Sequence, residues 1–504
     1  MSTELLKAVA DTNQWWAIGP EMILACTALG LLVLEIVTPK DQHRYIPFVA
    51  ILSLAMVLGA VIITFGSTTW GEGQLFGGLI QLSKAGQIAR IFFLLSSLLV
   101  CFLGTICLPR TRMPRVEFYH IVLVVTAALM LLAQSSHFVM FFVALETVTI
   151  GFYILVSYFR DNALTLEAGL KYLVLGALSS AIMLFGIVLI YGAVGRVEVD
   201  GIVHTGFEFG VVADFLSRNP DNFLATAGAL LVLGGVAFKI GAFPFQIWIP
   251  DVYQGAPTPV TAFLAVSSKA AGFAVMLTLV LNVFAPLTNI LVPVLSVLAA
   301  ATIIVGNFSA LSQRNTKRLM GLSGVSHAGY LLIGVIAALS VPAAANAVWF
   351  YLFTYLLASM AVFGVMAHLA GEDDTAQELD QYERLAKDRP FLGAILAVGI
   401  GSLAGIPPLA GFMGKLLIFV AAFQAHLYWL LLVAIGGVVL SIYYYFGWIK
   451  AAFFETWSPN PAETVTRSTA SQPTLVSGAV LTILAVLTVL LGFYQEPLSR
   501  WLLS

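Results

Sequence analysis

Four lysines stand inside long apolar stretches of this chain, where a cation needs a specific reason to be. They are Lys171, Lys239, Lys269 and Lys415. An ammonium at the centre of a bilayer costs about 2.5–3.5 kcal/mol on the insertion scale. Burial favours the neutral form of a lysine, whereas a nearby carboxylate favours the charged form. A buried lysine can therefore take up and release protons, and these four are candidate proton carriers.

Two structural explanations compete with that function. A long lysine side chain can snorkel to the membrane surface, which suits Lys171 because it lies only about six residues into its apolar stretch. A buried ion pair is the second explanation. Lys239 and Lys415 fall mid-stretch, so snorkelling suits them poorly.

An acid and an imidazole complete the set of candidates. Glu146 lies halfway along an apolar run, with no other charge for a dozen residues on either side, and is expected to pair with a cation, which in our hypothesis is Lys239. His327 lies among small and hydroxyl residues that leave room for water, and helix–helix hydrogen bonding is its structural alternative. For Glu21 and Glu35, nearer the ends of the first run, we expect a wetted structural role.

Composition sets the class of protein that holds these residues. Of the 504 residues, 60% are hydrophobic and only 10% are charged, whereas soluble domains carry about 25% charged residues. The net charge of −2 and the scattered basic residues argue against nucleic acid as a partner. The three cysteines lack the spacing of a metal site or a disulfide framework. The first apolar run is too long for a cleaved signal peptide, so we expect the N-terminus to be kept.

Apolar windows of about 20 residues predict an all-α polytopic membrane protein of about fourteen transmembrane helices. The predicted spans are 17–39, 47–69, 87–108, 117–134, 136–158, 166–193, 223–250, 258–285, 290–310, 318–340, 343–370, 390–424, 428–449 and 473–497.

The loops differ in positive charge, which predicts orientation. Alternate loops hold fourteen cations: Lys40, Arg44, Arg110, Arg112, Arg115, Arg160, Arg314, Lys317, Arg318, Arg384, Lys387, Arg389, Lys450 and Arg467. The opposite loops hold five, to which Arg90 at a span end can be added: Lys7, Lys84, Arg196, Arg218 and Arg500. By the positive-inside rule, both termini lie outside the cytoplasm.

Glycine and proline interrupt the seventh and twelfth spans, and each interruption adjoins a lysine. Lys239 precedes Gly241 and Pro244, and Lys415 follows the run from Gly401 to Gly411 that contains Pro407 and Pro408. Such breaks at corresponding places in two halves point to a transport site between inverted repeats. Residues 168–173 also align with 347–352, five spans later, although Phe350 replaces Lys171. An odd offset means opposite directions, so spans four to eight and nine to thirteen are predicted to be inverted copies.

The predicted organisation is thus three N-terminal helices in 1–116, a first five-helix repeat in 117–285, a second in 286–450, and a loop with a final helix in 451–504.

These features resemble the antiporter-like subunits of respiratory complex I and the related multisubunit sodium/proton antiporters. The resemblance covers nearly the whole chain. It is carried by Leu145-Glu146, Leu170-Lys171-Tyr172, Phe238-Lys239, Pro244, Trp248-Ile249-Pro250-Asp251, Ala256-Pro257-Thr258-Pro259-Val260, Ser268-Lys269 and the stretch from Gly405-Ile406-Pro407-Pro408 to Lys415. The chain is most similar to N-type members, because it stops soon after the fourteenth span and has lysine at position 415, where M-type members usually have glutamate.

The resemblance implies a proton-translocating subunit of NADH:quinone oxidoreductase in a bacterial inner membrane, with both termini periplasmic. It implies a relay of Glu146, Lys171, Lys239, Lys269, His327 and Lys415, and neighbours of the K and M types within the lipid bilayer. No cofactor is expected in this chain, because it lacks a dinucleotide motif, an iron–sulfur cysteine cluster and a haem pair. FMN, iron–sulfur clusters and quinone are then expected in partner subunits. The alternatives are a subunit of a sodium/proton antiporter or of a membrane-bound hydrogenase, and a purely structural scaffold.

Overall fold

The computed structural model describes residues 10, 12–65, 73–110, 116–199, 202–454 and 471–503, and α-helices dominate them. The helices are α1 Gly19–Val37, α2 Ile46–Phe65, α3 Lys84–Cys107, α4 Val116–Leu132, α5 Phe138–Val156, α6 Ala163–Val194, α7 Phe209–Arg218, α8 Phe223–Ile240, α9 Ile249–Gly255, α10 Thr258–Phe263, α11 Lys269–Thr278, α12 Thr288–Leu311, α13 Thr316–Ala338, α14 Ala343–Leu369, α15 Leu385–Asp388, α16 Pro390–Ala404, α17 Ala410–Gln424, α18 Tyr428–Phe453, α19 Leu475–Phe493 and α20 Glu496–Leu503. Two antiparallel hairpins pair β1 Gln74–Leu75 with β2 Ile80–Gln81, and β3 Arg196–Val199 with β4 Ile202–Thr205.

The predicted all-α polytopic fold is confirmed. Among the described residues, twelve helical stretches are long and apolar enough to cross a membrane. The 17-residue α4 and the broken pair α16–α17 add two apolar segments, which gives the predicted fourteen. The second stretch begins at His43 rather than at 47, because a 3₁₀ turn over Lys40–Tyr45 leads directly into α2, and residues 66–69 of the predicted span lie outside the described residues. Four of the cations used for orientation, Lys7, Arg112, Arg115 and Arg467, lie outside the described residues.

Burial separates inner helices from outer ones. Helices α13 and α14 are buried along their whole apolar cores, and the stretch from Thr258 to Val283 is nearly as buried. The outer helices α1, α2, α6, α18 and α19 bury only about a third of theirs and turn apolar side chains outward. Apolar side chains suit contact with lipid. The inner helices are those that carry Lys269 and His327.

Both predicted helix breaks are present. Helix α8 ends at Gly241, whose φ of +74° is left-handed, and a 3₁₀ turn over Phe245–Trp248 separates it from α9. Helix α16 ends in the same way at Gly405, with φ of +84°, and α17 begins at Ala410 after Pro407 and Pro408. Glycine adopts this conformation without a steric penalty and proline cannot continue the helical hydrogen bonds. Each break therefore follows from its own local sequence.

The sequence did not predict two short amphipathic helices. Helix α7 buries Phe209, Val212 and Leu216 and leaves its other side polar. Helix α20 begins at Glu496, so the last span ends at Phe493 and not at 497. A 20-residue window averages over helices this short, which is why neither was predicted.

A buried ion pair fastens the N-terminal helix to the bundle. Arg90 donates from Nε and Nη2 to the two carboxylate oxygens of Glu21, at 2.8 and 2.9 Å, and from Nη2 to the Ala17 carbonyl at 2.8 Å. Gln134 donates to the same carboxylate at 3.1 Å. Arg90 is fully buried and Glu21 is 3% exposed, so the predicted wetted role for Glu21 is wrong. Together these hydrogen bonds join α1, α3 and the segment that follows α4.

Removing one member of this pair is expected to lower the amount of assembled protein in the membrane. Arg90→Met leaves a buried carboxylate unpaired, and losses of this kind cost about 3–5 kcal/mol. The double variant Arg90→Met with Glu21→Met removes both charges and should assemble better than either single variant. Quantitative blotting of purified membranes measures this, and a double variant worse than both singles would contradict the paired role.

Candidate functional site

Lys239 lies in the last turn of α8, just before the first break, and is buried. Its Nζ donates to Thr149 Oγ1 on α5 at 2.6 Å, and that hydroxyl donates to the Leu145 carbonyl at 2.7 Å. The carbonyl end of a helix carries partial negative charge, which favours an ammonium there. The ammonium is thus held by neutral oxygen and by the end of its own helix.

A small cavity lies beside Lys239 and extends towards the next lysine. Its walls include Thr149, Lys239, Ser268 and Gly272, and its volume of about 10 Å³ is close to what one water molecule requires. Ser268 directly precedes Lys269. Space for one hydrogen-bonding molecule therefore lies between the first lysine and the residue next to the second.

Lys269 lies where a π-helical turn over Leu264–Ser268 passes into α11. Its Nζ donates to the Gly324 carbonyl of α13 at 2.8 Å and to the Tyr355 hydroxyl of α14 at 3.2 Å. The same ammonium lies 4.7 Å from the centre of the Tyr355 ring, within cation–π range. A Cβ at position 324 would lie 2.6 Å from this Nζ, so a side chain there would force the ammonium to move.

His327 stands between Lys269 and Lys415, and the charges of both lysines act on its ring. Its Nδ1 lies 2.6 Å from the Tyr351 hydroxyl and its Nε2 lies 3.2 Å from the Tyr445 hydroxyl. The ring centre of Tyr355 is 5.0 Å away. Both ring nitrogens therefore have a partner that can donate or accept a proton.

Lys415 reaches back from α17 across the second break. Its Nζ donates to the carbonyls of Leu403 and Ala404, at 2.9 and 2.8 Å, at the C-terminal end of α16. The Tyr330 ring centre lies 5.5 Å from the ammonium. Lys415 is thus stabilised at the carbonyl end of α16, and Lys239 lies in the last turn of α8, the corresponding place at the first break.

Glu146 does not form the expected ion pair with Lys239. Its Oε1 accepts a hydrogen bond from Ser180 Oγ of α6 at 2.5 Å, and the two charged groups interact over a longer distance. Glu146 is only partly buried in this single chain. Among the described residues it has no ion-pair partner within 4 Å, so the hypothesis of a closed pair needs revision.

Lys171 belongs to a different cluster. Its Nζ lies 2.7 Å from Glu167 and 2.6 Å from Asp251, and Arg318 binds the other oxygen of Asp251 at 2.7 Å. The Lys171 side chain is 41% exposed. This arrangement agrees with the snorkelling and ion-pair explanations, and the cluster lies at the end of α6 next to the loops rich in lysine and arginine.

One cation counted as a loop residue is buried. Lys317 lies 3.1 Å from Asp374, and neither side chain is more than 2% exposed. Asp374 also accepts hydrogen bonds from the backbone and hydroxyl of Thr258, at 2.5 and 2.8 Å. The pair therefore anchors the start of the helix that leads to Lys269.

The sequence analysis missed the hydroxyl partners of the lysines and of the histidine: Thr149, Tyr351, Tyr355 and Tyr445. A usable signal existed, because Tyr351 and Tyr355 are spaced by four residues in an otherwise apolar span and so share one helix face. The spacing did not reveal which residues that face contacts.

Comparison with known proteins places the chain in one family. The family described as "NADH:quinone oxidoreductase/Mrp antiporter, TM" matches residues 135–441. NADH-quinone oxidoreductase subunit N 1 of Opitutus terrae is 61% identical over 505 residues and covers the whole of both chains. A chain of respiratory complex I from Thermus thermophilus has 31% identity and a TM-score of 0.77, over 95% of this chain and 98% of that one. A chain of the Mrp complex from a Dietzia species shares the fold, with 21% identity, a TM-score of 0.80 and 96% coverage of both chains.

The glycine beside Lys269 generates a direct test. Gly324→Ala should displace the ammonium from the Gly324 carbonyl and reduce proton pumping several-fold, because a hydrogen bond to a charged group contributes about 1.5–3 kcal/mol. Gly436→Ala on α18 is the control, since a Cβ there meets no atom within 4 Å. Pumping in membrane vesicles, normalised to assembled protein, is the measurement. Equal pumping by the two variants would show that the carbonyl contact is unnecessary.

Proposed function

The chain belongs to the family of membrane subunits shared by NADH:quinone oxidoreductase and Mrp antiporters. We propose a path by which it moves protons. It is an antiporter-like, proton-translocating membrane subunit of complex I. The observation that carries the proposed path is the burial of Lys239, Lys269, His327 and Lys415, with Ser268 lining the cavity beside Lys239 and Tyr355 in contact with both Lys269 and His327. Each of these groups can hold or release one proton.

In the proposed path, Lys239 takes up a proton from the cytoplasmic side under the attraction of Glu146. Weakening of that attraction sends the proton through the small cavity to Lys269, then through His327 to Lys415 and out. Raising one proton against 100 mV costs about 2.3 kcal/mol, which electron transfer elsewhere must supply. Lys171, with Asp251 and Arg318, forms the charged uptake site on the cytoplasmic side. It lies next to the loops with most of the basic residues and has the exposure that proton uptake requires.

The wider assignments are also proposals. Both termini lie on the periplasmic side of the bacterial inner membrane, as the loop charges predict. The neighbours are K-type and M-type membrane-arm subunits, while FMN, iron–sulfur clusters and quinone bind in partner subunits. The chain itself carries no redox centre and serves the enzyme as its translocating part.

We also propose that residues 117–285 and 286–450 are inverted copies. Helix α8 with α9 then corresponds to α16 with α17, and each broken pair places a lysine at the carbonyl end of its first half. Residues 1–116 and 451–504 flank the copies.

Sodium exchange is the less favoured alternative. A sodium site requires several oxygen ligands, often with a carboxylate. The contact partners of Lys239, Lys269 and Lys415 are hydroxyls and carbonyls already occupied by ammonium groups. The Mrp relative shares only 21% identity, and that likeness supports the fold alone.

Glu146 tests the electrostatic part of the path. Glu146→Gln keeps an acceptor for the Ser180 hydroxyl but removes the charge, so pumping should fall strongly. Glu146→Asp keeps the charge one methylene further back and should be milder. NADH-driven proton pumping by assembled complex is the measurement. If Asp and Gln lose equal activity, the shape of Glu146 matters and its charge does not.

Lys415 tests the exit. Arg should fail there although it keeps the charge, because a guanidinium does not release its proton in a protein. Glu should be partly tolerated, since it can also bind and release a proton, and Ala should be inactive. The three variants are compared for pumping per assembled complex. A structural cation would give the opposite order, with Arg best and Glu worst, and normal pumping by Lys415→Arg would remove this residue from the path.

A further inference from the structure

The imidazole of His327 is clamped between two phenols. Tyr351 of α14 meets Nδ1 at 2.6 Å, and Tyr445 of α18 meets Nε2 at 3.2 Å. The histidine is 3% exposed, and Tyr351 and Tyr445 are 1% and 0% exposed. All three lie on different helices, so the bundle itself fixes the geometry. Neither tyrosine was among the residues expected from the sequence.

The clamp accommodates two proton arrangements. A neutral imidazole has one N–H donor and one acceptor nitrogen, and a phenol can donate or accept. In one arrangement Nδ1–H donates to Tyr351 while Tyr445 donates to Nε2. In the other arrangement both hydrogen bonds are reversed. The two arrangements use the same heavy-atom positions, so the ring can change tautomer without moving.

We propose that Tyr351 and Tyr445 hold the ring of His327 in place and relay protons to and from it, so that the ring passes one proton at a time from one nitrogen to the other. The inference rests on the proposed path from Lys269 to Lys415. The ring of Tyr351 packs against Gly414, the neighbour of Lys415, so Tyr351 faces the exit side. Tyr445 contacts the opposite nitrogen and interacts with Tyr355, the hydroxyl partner of Lys269, so we assign Tyr445 to the Lys269 side.

The transfers through the cluster conserve the number of protons. The ring starts with its proton on Nδ1. Tyr445 gives its hydroxyl proton to Nε2 and regains one from the Lys269 side, which makes the ring an imidazolium. The Nδ1–H bond then breaks, its proton moves to the Tyr351 oxygen, and the hydroxyl proton of Tyr351 leaves towards Lys415. One proton has gone in and one has gone out. The ring is neutral again, with its proton now on Nε2.

The ring cannot pass a second proton in the same direction until its proton returns to Nδ1. Return through the two phenols would carry one proton backwards and cancel the transfer, so the neutral ring must leave the clamp to exchange its proton. A half-turn about the Cβ–Cγ bond puts carbons where the nitrogens were and breaks both phenol contacts. This turn resets His327 once for every proton, and the clamp opposes it as long as both phenols are bonded.

The test uses variants that keep the shape of the cluster in intact, membrane-bound complex. Tyr351→Phe and Tyr445→Phe each remove one hydroxyl and should lower the protons pumped per NADH oxidised at least threefold. The double variant should be no worse than the more severe single, because a path in series is interrupted only once. His327→Gln can still bind both phenols, with its amide donor and acceptor, but cannot carry a proton. It should lose as much pumping as the phenylalanine variants.

Tyr444→Phe is the matched control, because the neighbouring Tyr444 donates to Asn307 at 3.2 Å and not to His327. It should keep the wild-type ratio. A purely structural role of Tyr351 and Tyr445 would lower assembly and leave protons per NADH unchanged, which would overturn the inference, as would normal pumping by His327→Gln. Lys239→Ala and Lys415→Ala, measured in the same experiment, distinguish failure of this inference from failure of the proposed path. If the lysine variants also pump normally, the proposed path itself is wrong.

Discussion

The cost of holding an ammonium in an apolar interior shapes the centre of this protein. A buried cation needs a partner, and the buried lysines and Arg90 have partners of two kinds. Lys317 and Arg90 pair with carboxylates at close range and are completely buried. Lys239, Lys269 and Lys415 instead contact hydroxyls, backbone carbonyls and aromatic rings. A carboxylate partner fixes the charge of a lysine, whereas a neutral partner stabilises the ammonium only moderately and leaves both protonation states accessible.

The broken helices follow from the same requirement. An intact helix uses its carbonyls in its own hydrogen bonds and has none to offer in mid-membrane. Ending α16 at Gly405 frees the carbonyls of Leu403 and Ala404, and both bind Lys415. A Cβ at position 405 would lie 3.0 Å from the Lys415 Nζ, as one at position 324 would crowd Lys269. Glycine therefore does two things at the second break: it adopts the left-handed turn and it leaves room for the ammonium.

The sequence showed which charged residues lie in apolar spans but not what surrounds them. A charged residue within an apolar run can be recognised from the sequence alone, so Glu146 and the four lysines were identified. Glycine and proline likewise predicted both helix breaks. Contacts between helices depend on rotation and depth, which the sequence does not encode locally. For this reason the expected pair of Glu146 with Lys239 is not formed. Glu146 accepts a hydrogen bond from Ser180, and Lys239 donates one to Thr149. The burial of Arg90 and Lys317 was missed because both stand near span ends, where cations usually reach water.

The separation of Glu146 from Lys239 bears on how energy enters the path. A carboxylate in direct contact would hold the lysine protonated, and a large energy would be needed to release the proton. Here the carboxylate is bonded across to α6 by Ser180, while the lysine is bonded to Thr149, one turn further along the same helix as Glu146. The attraction between them falls with distance in a medium that screens weakly, so a shift of α6 against α5 by a few ångströms changes it substantially. Ser180 links that movement to the carboxylate. On the proposed path, the adjustable element is therefore the contact between α5 and α6 rather than the lysine itself.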